Sequence, residues 1–145
     1  GFFMSGLLFA ALAGALMSIQ GVFNTEVTKS TGIWVSNGWV QFSAFLTCMA
    51  LWFINGKTKI SHLLEVEPKY MLLGGVIGAV ITFTVIKGMN GLGPAKAVMI
   101  IVVVQLLVAY LIELFGIFGV EKVAFEWKKL IGMALAIVGV IIFKI

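Results

Sequence analysis

The chain is 145 residues long, 61% apolar and 11% charged, with a mean hydropathy of +1.15, which excludes an ordinary soluble domain. A membrane-crossing helix takes roughly 20 apolar residues, so five of them would consume about 100 positions and leave only connectors, too little for a separate catalytic or DNA-reading domain. All ten basic residues are Lys, against six Glu and one His; they are scattered between apolar runs, a pattern suited to a membrane surface and not to nucleic acid.

Reading from charge to charge predicts five segments. The first, at about 2–23, lies ahead of Glu26; the second, at about 32–54, fills the gap between Lys29 and Lys57. The third covers about 70–86. The fourth, at about 94–115, opens with Pro94, whose missing N–H costs nothing in a first helical turn. The fifth, at about 127–144, is charge-free only from Leu130 to Phe143, and crosses if Lys128, Lys129 and Lys144 snorkel and Trp127 anchors at the interface. The expected fold is an all-α integral membrane protein, a bundle of five transmembrane helices in a single domain. The start has no basic region and its first apolar run is longer than a signal peptide's, so no cleaved leader is expected.

Five crossings put the termini on opposite sides. The side of the N-terminus then holds Lys57, Lys59, Lys69, Lys122, Lys128 and Lys129, and the other side Lys29, Lys87, Lys96 and Lys144. Orientation follows the Lys/Arg bias of short loops and helix flanks, and six against four is a weak bias, consistent with insertion in both orientations. Small residues every four positions, Gly6, Ala10, Gly14 and Ser18 in the first segment and Gly74, Gly78 and Thr82 in the third, allow close backbone approach and read as helix-packing stripes.

Polar side chains within a bilayer need partners or water, so they mark candidate function. Gln20 and Asn24 stand four apart, with Gln20 about 200° around the helix from Ser18. Asn37 and Gln41 repeat that spacing in the second segment, one turn beyond Trp34, and Gln105 stands alone in the fourth. At ~1.5 Å per residue, Gln41 and Gln105 lie roughly 14–15 Å inside their helices, near mid-membrane. Gln20, Asn24 and Asn37 lie in the half toward the C-terminal side, so the amides are placed to line a vestibule. The alternative is interhelical hydrogen bonding alone.

Lys96 and Glu113 sit at the ends of the fourth segment where the helix dipole disfavours their charges. Glu113 is the candidate ion-coupling group, because withdrawal from water raises a carboxyl pKa toward the range where it carries protons. Glu26 has Lys29 or Lys87 as its nearest prospective partner. No enzyme or metal constellation is present in the sequence: His62 stands alone in a polar loop, there is no Asp, and the single Cys48 has no His at metal spacing. No cofactor is expected. Gly91-Leu92-Gly93 joins two membrane segments and so marks a tight reversal, not a dinucleotide site.

The stretches LAGALMSIQGVFNTEVTK (12–29), GMNGLGPAKAVMIIVVVQLLVAY (88–110) with its continuation LIELFGIFG, and the closing LIGMALAIVGVIIF resemble the YdcZ-like family of bacterial inner-membrane proteins in the drug/metabolite transporter superfamily. The resemblance implies a unit equivalent to one half of the ten-helix, EamA-like transporters, whose two five-helix repeats are inverted. A single five-helix chain then finds its inverted partner in a second copy or a paralogue. Taken with the polar residues, this makes secondary transport of a small polar or amphipathic solute by an antiparallel homodimer the expected function, with Gln20, Asn24, Trp34, Asn37, Gln41 and Gln105 as candidate solute contacts, Glu113 as candidate coupling site, and Lys96 as its candidate intersubunit ion-pair partner. The similar four-helix small multidrug exporters carry a Glu in their first helix where this chain has Gln20, a departure that argues against proton coupling at that position. The rival functions are a non-transporting membrane subunit and a passive pore.

Overall fold

The structure, a computed structural model, describes residues 1–144. Five α-helices occur among them: α1 (Phe2–Thr31), α2 (Ile33–Ile54), α3 (Gly74–Leu92), α4 (Pro94–Phe115) and α5 (Trp127–Lys144). Short 3-10 turns at Ile60–Glu65, Lys69–Leu73 and Ile117–Gly119 occupy the connectors. No strand is present among the described residues, as expected where hydrocarbon can satisfy no backbone group and each segment must bond to itself. Four helical segments are long and apolar enough to cross a membrane: Phe2–Thr31, Ile33–Ile54, Lys69–Leu92 and Pro94–Phe115.

Two helices outrun the segments read from charge positions. α1 continues through Glu26 and Lys29 to Thr31 because its polar end bonds to itself. Thr25, Thr28 and Thr31 donate their hydroxyls to the carbonyls of Gly21, Asn24 and Val27, at 2.7, 2.7 and 3.0 Å, and Lys29 Nζ pairs with Glu26 at 2.9 Å. The helix stops at Gly32, whose φ of 87° and ψ of 159° form a region essentially closed to residues with a Cβ. α3 likewise carries on past Ile86, through Lys87 and Asn90, to Leu92. Gly93, ahead of Pro94, has nearly the same dihedrals, 85° and 158°.

The surface is unlike that of a soluble protein. Large apolar residues such as Phe9, Leu16, Phe53, Val76 and Val104 face outward, while Ser36 and Asn37 are only 1% and 3% exposed. An apolar outer surface with a few polar groups bonded among apolar ones inside is what a hydrocarbon solvent selects.

The chain forms two compact units, Gly1–Asn90 and a second beginning at Gly91. In the first, α1 and α3 meet at Gly21, where an added Cβ would stand 2.5 Å from Met89 Cε and 3.4 Å from Val85 Cγ1. α2 is tied to α1 by Ser36 Oγ, which donates to the Asn24 carbonyl at 3.3 Å. At the far end of α2, Trp52 Nε1 donates to the Thr58 carbonyl at 2.8 Å and Lys57 Nζ lies 4.0 Å above the Phe53 ring, an aromatic and cationic termination suited to a membrane surface.

In the second unit α4 packs on α5. The buried Tyr110 hydroxyl accepts the Glu126 N–H at 3.2 Å, and Lys129 Nζ stands 5.4 Å from the Tyr110 ring centroid. Gly116, in the left-handed region at φ 63°, turns the chain so that the Val123 N–H returns to the Glu113 carbonyl at 3.0 Å.

Gly32→Ala should destabilise the protein by about 1–3 kcal/mol. Gly38→Ala, in the interior of α2 where nothing lies within 4 Å of the added methyl, should leave stability unchanged or raise it by up to about 1 kcal/mol. Reversible unfolding in detergent micelles measures both.

Candidate functional site

The first unit holds one connected polar seam. Asn37 and Gln41 are one turn apart on α2, so their side chains share a face. Asn37 Nδ2 donates to the Ala79 carbonyl of α3 at 2.9 Å. Gln41 Nε2 donates to Asn37 Oδ1 at 3.0 Å and to Thr82 Oγ1 at 3.1 Å. Thr82 passes its own proton to the Gly78 carbonyl at 3.0 Å. Both hydrogens of the Gln41 amide are thereby engaged, and its carbonyl oxygen is left to accept from another donor. Asn37 is buried and Gln41 half-buried.

Trp34 precedes Asn37 by one turn and stacks on Phe83 of α3, with ring centroids 5.1 Å apart and planes inclined by 12°. Lys87 Nζ lies 5.8 Å from the Phe83 centroid. Trp34 remains 67% exposed, so it presents an aromatic surface outward while Phe83 covers part of it.

A cavity of about 320 Å³ lies at the same end of α2, lined by Thr25, Thr28 and Lys29 of α1, Ile33 of α2, and Ile86, Lys87 and Asn90 of α3. Ile33 and Ile86 in its wall are each one helical turn from the seam, since Asn37 follows Ile33 and Thr82 precedes Ile86 by four residues. The seam thus begins one turn, about 6 Å, inward of a cavity whose rim carries two ammonium groups and two hydroxyls.

The remaining expected site residues are dispersed. Gln20 is exposed and Asn24 half-buried; with Leu16, Met17 and Phe23 they border an open apolar hollow of about 450 Å³ on α1. Asn24 enters the packing through its backbone carbonyl, which accepts from both Thr28 and Ser36. Gln105 and Lys96 are exposed on α4, in the second unit. Glu113 is half-buried in the wall of a second cavity, of about 470 Å³, between α4 and α5. In the packing stripes, nothing in the first unit comes within 4 Å of a Cβ added at Gly6, Gly14, Gly74 or Gly78. Glu26 pairs with Lys29.

Ser36, Phe83 and the Ala79 carbonyl did not stand out in the sequence. Ser36 and Phe83 are ordinary residues in an apolar run, and a backbone acceptor has no sequence signature. Thr82 was visible only as a small residue in the Gly74, Gly78 stripe; its place one turn after Gly78 gives it a helix carbonyl to bond, a common habit of Thr in membrane helices.

These features define a helical integral membrane protein with a polar seam bonded between α2 and α3, and no group of His, Cys, Asp or Glu among the described residues is arranged to hold a metal. The chain belongs to the YdcZ family of the drug/metabolite transporter group: the family model DMT_YdcZ, described as "Putative inner membrane exporter, YdcZ", matches residues 5–142. It is accordingly a protein of the inner membrane, and the family's description points to a transporter rather than an enzyme. No curated protein and no solved structure matches the chain.

Gln41 and Thr82 should be energetically coupled. In a double-mutant cycle of Gln41→Leu and Thr82→Val, unfolding in micelles is expected to give a coupling of about 0.6–1.7 kcal/mol, whereas Gln105→Leu, at an exposed position, should change stability by less than about 0.5 kcal/mol.

Proposed function

We propose that the chain is a secondary exporter that works by alternating access as an antiparallel homodimer and moves a small polar or amphipathic solute past the Asn37–Gln41–Thr82 seam. The observation that carries this reading is the seam's position one turn inward of the cavity bordered by Lys29, Lys87 and Asn90. A solute entering the cavity meets hydroxyl, amide and ammonium groups, and then the Gln41 carbonyl. The exposed face of Trp34 offers a surface for an apolar or cationic part of the same solute.

Three features support the second copy. α5 as a fifth crossing sets the two termini on opposite sides, and its three Lys residues at the ends are placed to snorkel. The weak Lys asymmetry permits both insertions. The small-residue faces at Gly6, Gly14, Gly74 and Gly78 remain uncovered within the first unit, and such faces seek a close helix partner in lipid. A two-fold axis in the membrane plane then relates the copies, as in inverted-repeat transporters.

One observation favours a second reading, a non-transporting subunit: Asn37 is buried and bonded on both its amide groups, which is also what interhelical glue requires. Two measurements separate the readings. Reporters active only in the cytoplasm or only in the periplasm, fused in turn to the C-terminus, should give comparable signals. Gln41→Leu should then reduce solute efflux from cells at least about tenfold, the effect of losing one hydrogen bond to a bound solute together with its desolvation, while the protein still assembles. A single orientation removes the homodimer. Normal efflux by Gln41→Leu with altered assembly establishes the subunit reading.

A further inference from the structure

The cavity between α4 and α5 has a graded interior. Glu113, third from the end of α4, and Lys129, third in α5, stand at its polar end together with Tyr110; Leu106, Ala109 and Met133 line the rest. Leu106 is seven residues from Glu113, about 10 Å along the helix, and Met133 is about 6 Å beyond Lys129. Both helices therefore run from charge at a membrane surface to apolar wall in the hydrocarbon, the polarity gradient of a lipid in a leaflet.

The polar groups are incompletely matched to one another. Glu113 forms no ion pair with any described residue, Lys129 included, although both border the same cavity. Tyr110 accepts the Glu126 N–H through its hydroxyl oxygen, which leaves the hydroxyl proton to donate elsewhere. The cavity thus presents one carboxylate acceptor, one ammonium and one phenol O–H, with a gap between the opposite charges.

We infer that this cavity binds a zwitterionic phospholipid with a primary amine, of the phosphatidylethanolamine type, with its ammonium on Glu113, its phosphate on Lys129 and the Tyr110 hydroxyl, and the upper part of one acyl chain along Leu106, Ala109 and Met133. Charge complementarity selects a zwitterion over an anionic lipid, whose phosphate can meet Lys129 but which brings no cation to Glu113. Hydrogen bonding selects a primary amine over a quaternary one, because a trimethylammonium group has no N–H to give the carboxylate. The volume of about 470 Å³ admits a headgroup and the start of a chain, not a whole diacyl lipid. Glu113 then serves as a headgroup ligand and not as the ion-coupling carboxylate. The inference does not depend on transport.

Native mass spectrometry of the full-length, delipidated protein tests it, using phosphatidylethanolamine, phosphatidylcholine and phosphatidylglycerol of identical chains, and free phosphoethanolamine. Phosphatidylethanolamine should be retained at least about tenfold better than the other two lipids, the size of effect expected for a charge-assisted hydrogen bond, and the free headgroup should be retained far less. Glu113→Gln should abolish the preference over phosphatidylcholine, and Lys129→Gln should weaken retention of both zwitterionic lipids; Glu121→Gln, in the exposed connector, should change neither. Equal retention of ethanolamine and choline lipids, equal retention of phosphatidylglycerol, or an undiminished preference in Glu113→Gln would overturn the proposal. Binding of free phosphoethanolamine as tight as that of the lipid would overturn the lipid as occupant in favour of a soluble amine.

Discussion

The first unit depends on one constraint: a side-chain amide within a membrane helix must be satisfied by a protein partner or by water. Asn37 meets it by donating to the Ala79 carbonyl, and Gln41 meets it by bridging Asn37 and Thr82. These bonds fix which faces of α2 and α3 oppose each other. With the register fixed, Trp34 lies over Phe83, and the ends of α1, α2 and α3 enclose the cavity edged by Lys29 and Lys87. Close approach of α1 at Gly21, where only hydrogen stands between the helix and Met89, brings the third wall into place.

The same constraint explains why polar residues at the end of α1 do not end the helix. Thr25, Thr28 and Thr31 return their protons to carbonyls one turn back, and Glu26 and Lys29 neutralise each other. Hydropathy marks where the chain leaves hydrocarbon; it does not mark where the backbone stops being helical. The helix ends at Thr31 and Leu92 are set instead by the glycines that follow, Gly32 and Gly93.

The candidate site was readable to the extent that it is local. The four-residue spacing of Asn37 and Gln41 put them on one face from sequence alone, and they do bond. Their α3 partners required knowledge of interhelical register, which arises from packing and leaves no trace in either helix taken singly. Gln20 and Gln105 carried the same chemical signal as Gln41, but their surroundings differ: one borders an open hollow on α1 and the other is exposed on α4. A polar residue in an apolar run signals that a partner is needed, and does not say which one. Glu113 is the comparable case in the second unit: Tyr110 stands one turn before it on α4, but Lys129, on the next helix, lines the same cavity only because α5 packs against α4.

The central claim is that the Asn37–Gln41–Thr82 seam lies on a water-accessible path and is not dry interhelical bonding. Substituted-cysteine labelling addresses it directly. In a Cys48→Ala background, Thr82→Cys places a thiol close in size to the hydroxyl it replaces, and only a thiol that reaches water ionises and reacts readily. A membrane-impermeant maleimide should label Thr82→Cys in intact membranes, as it labels Lys87→Cys at the cavity rim. Labelling of Lys87→Cys with no reaction at Thr82→Cys from either face would contradict the account.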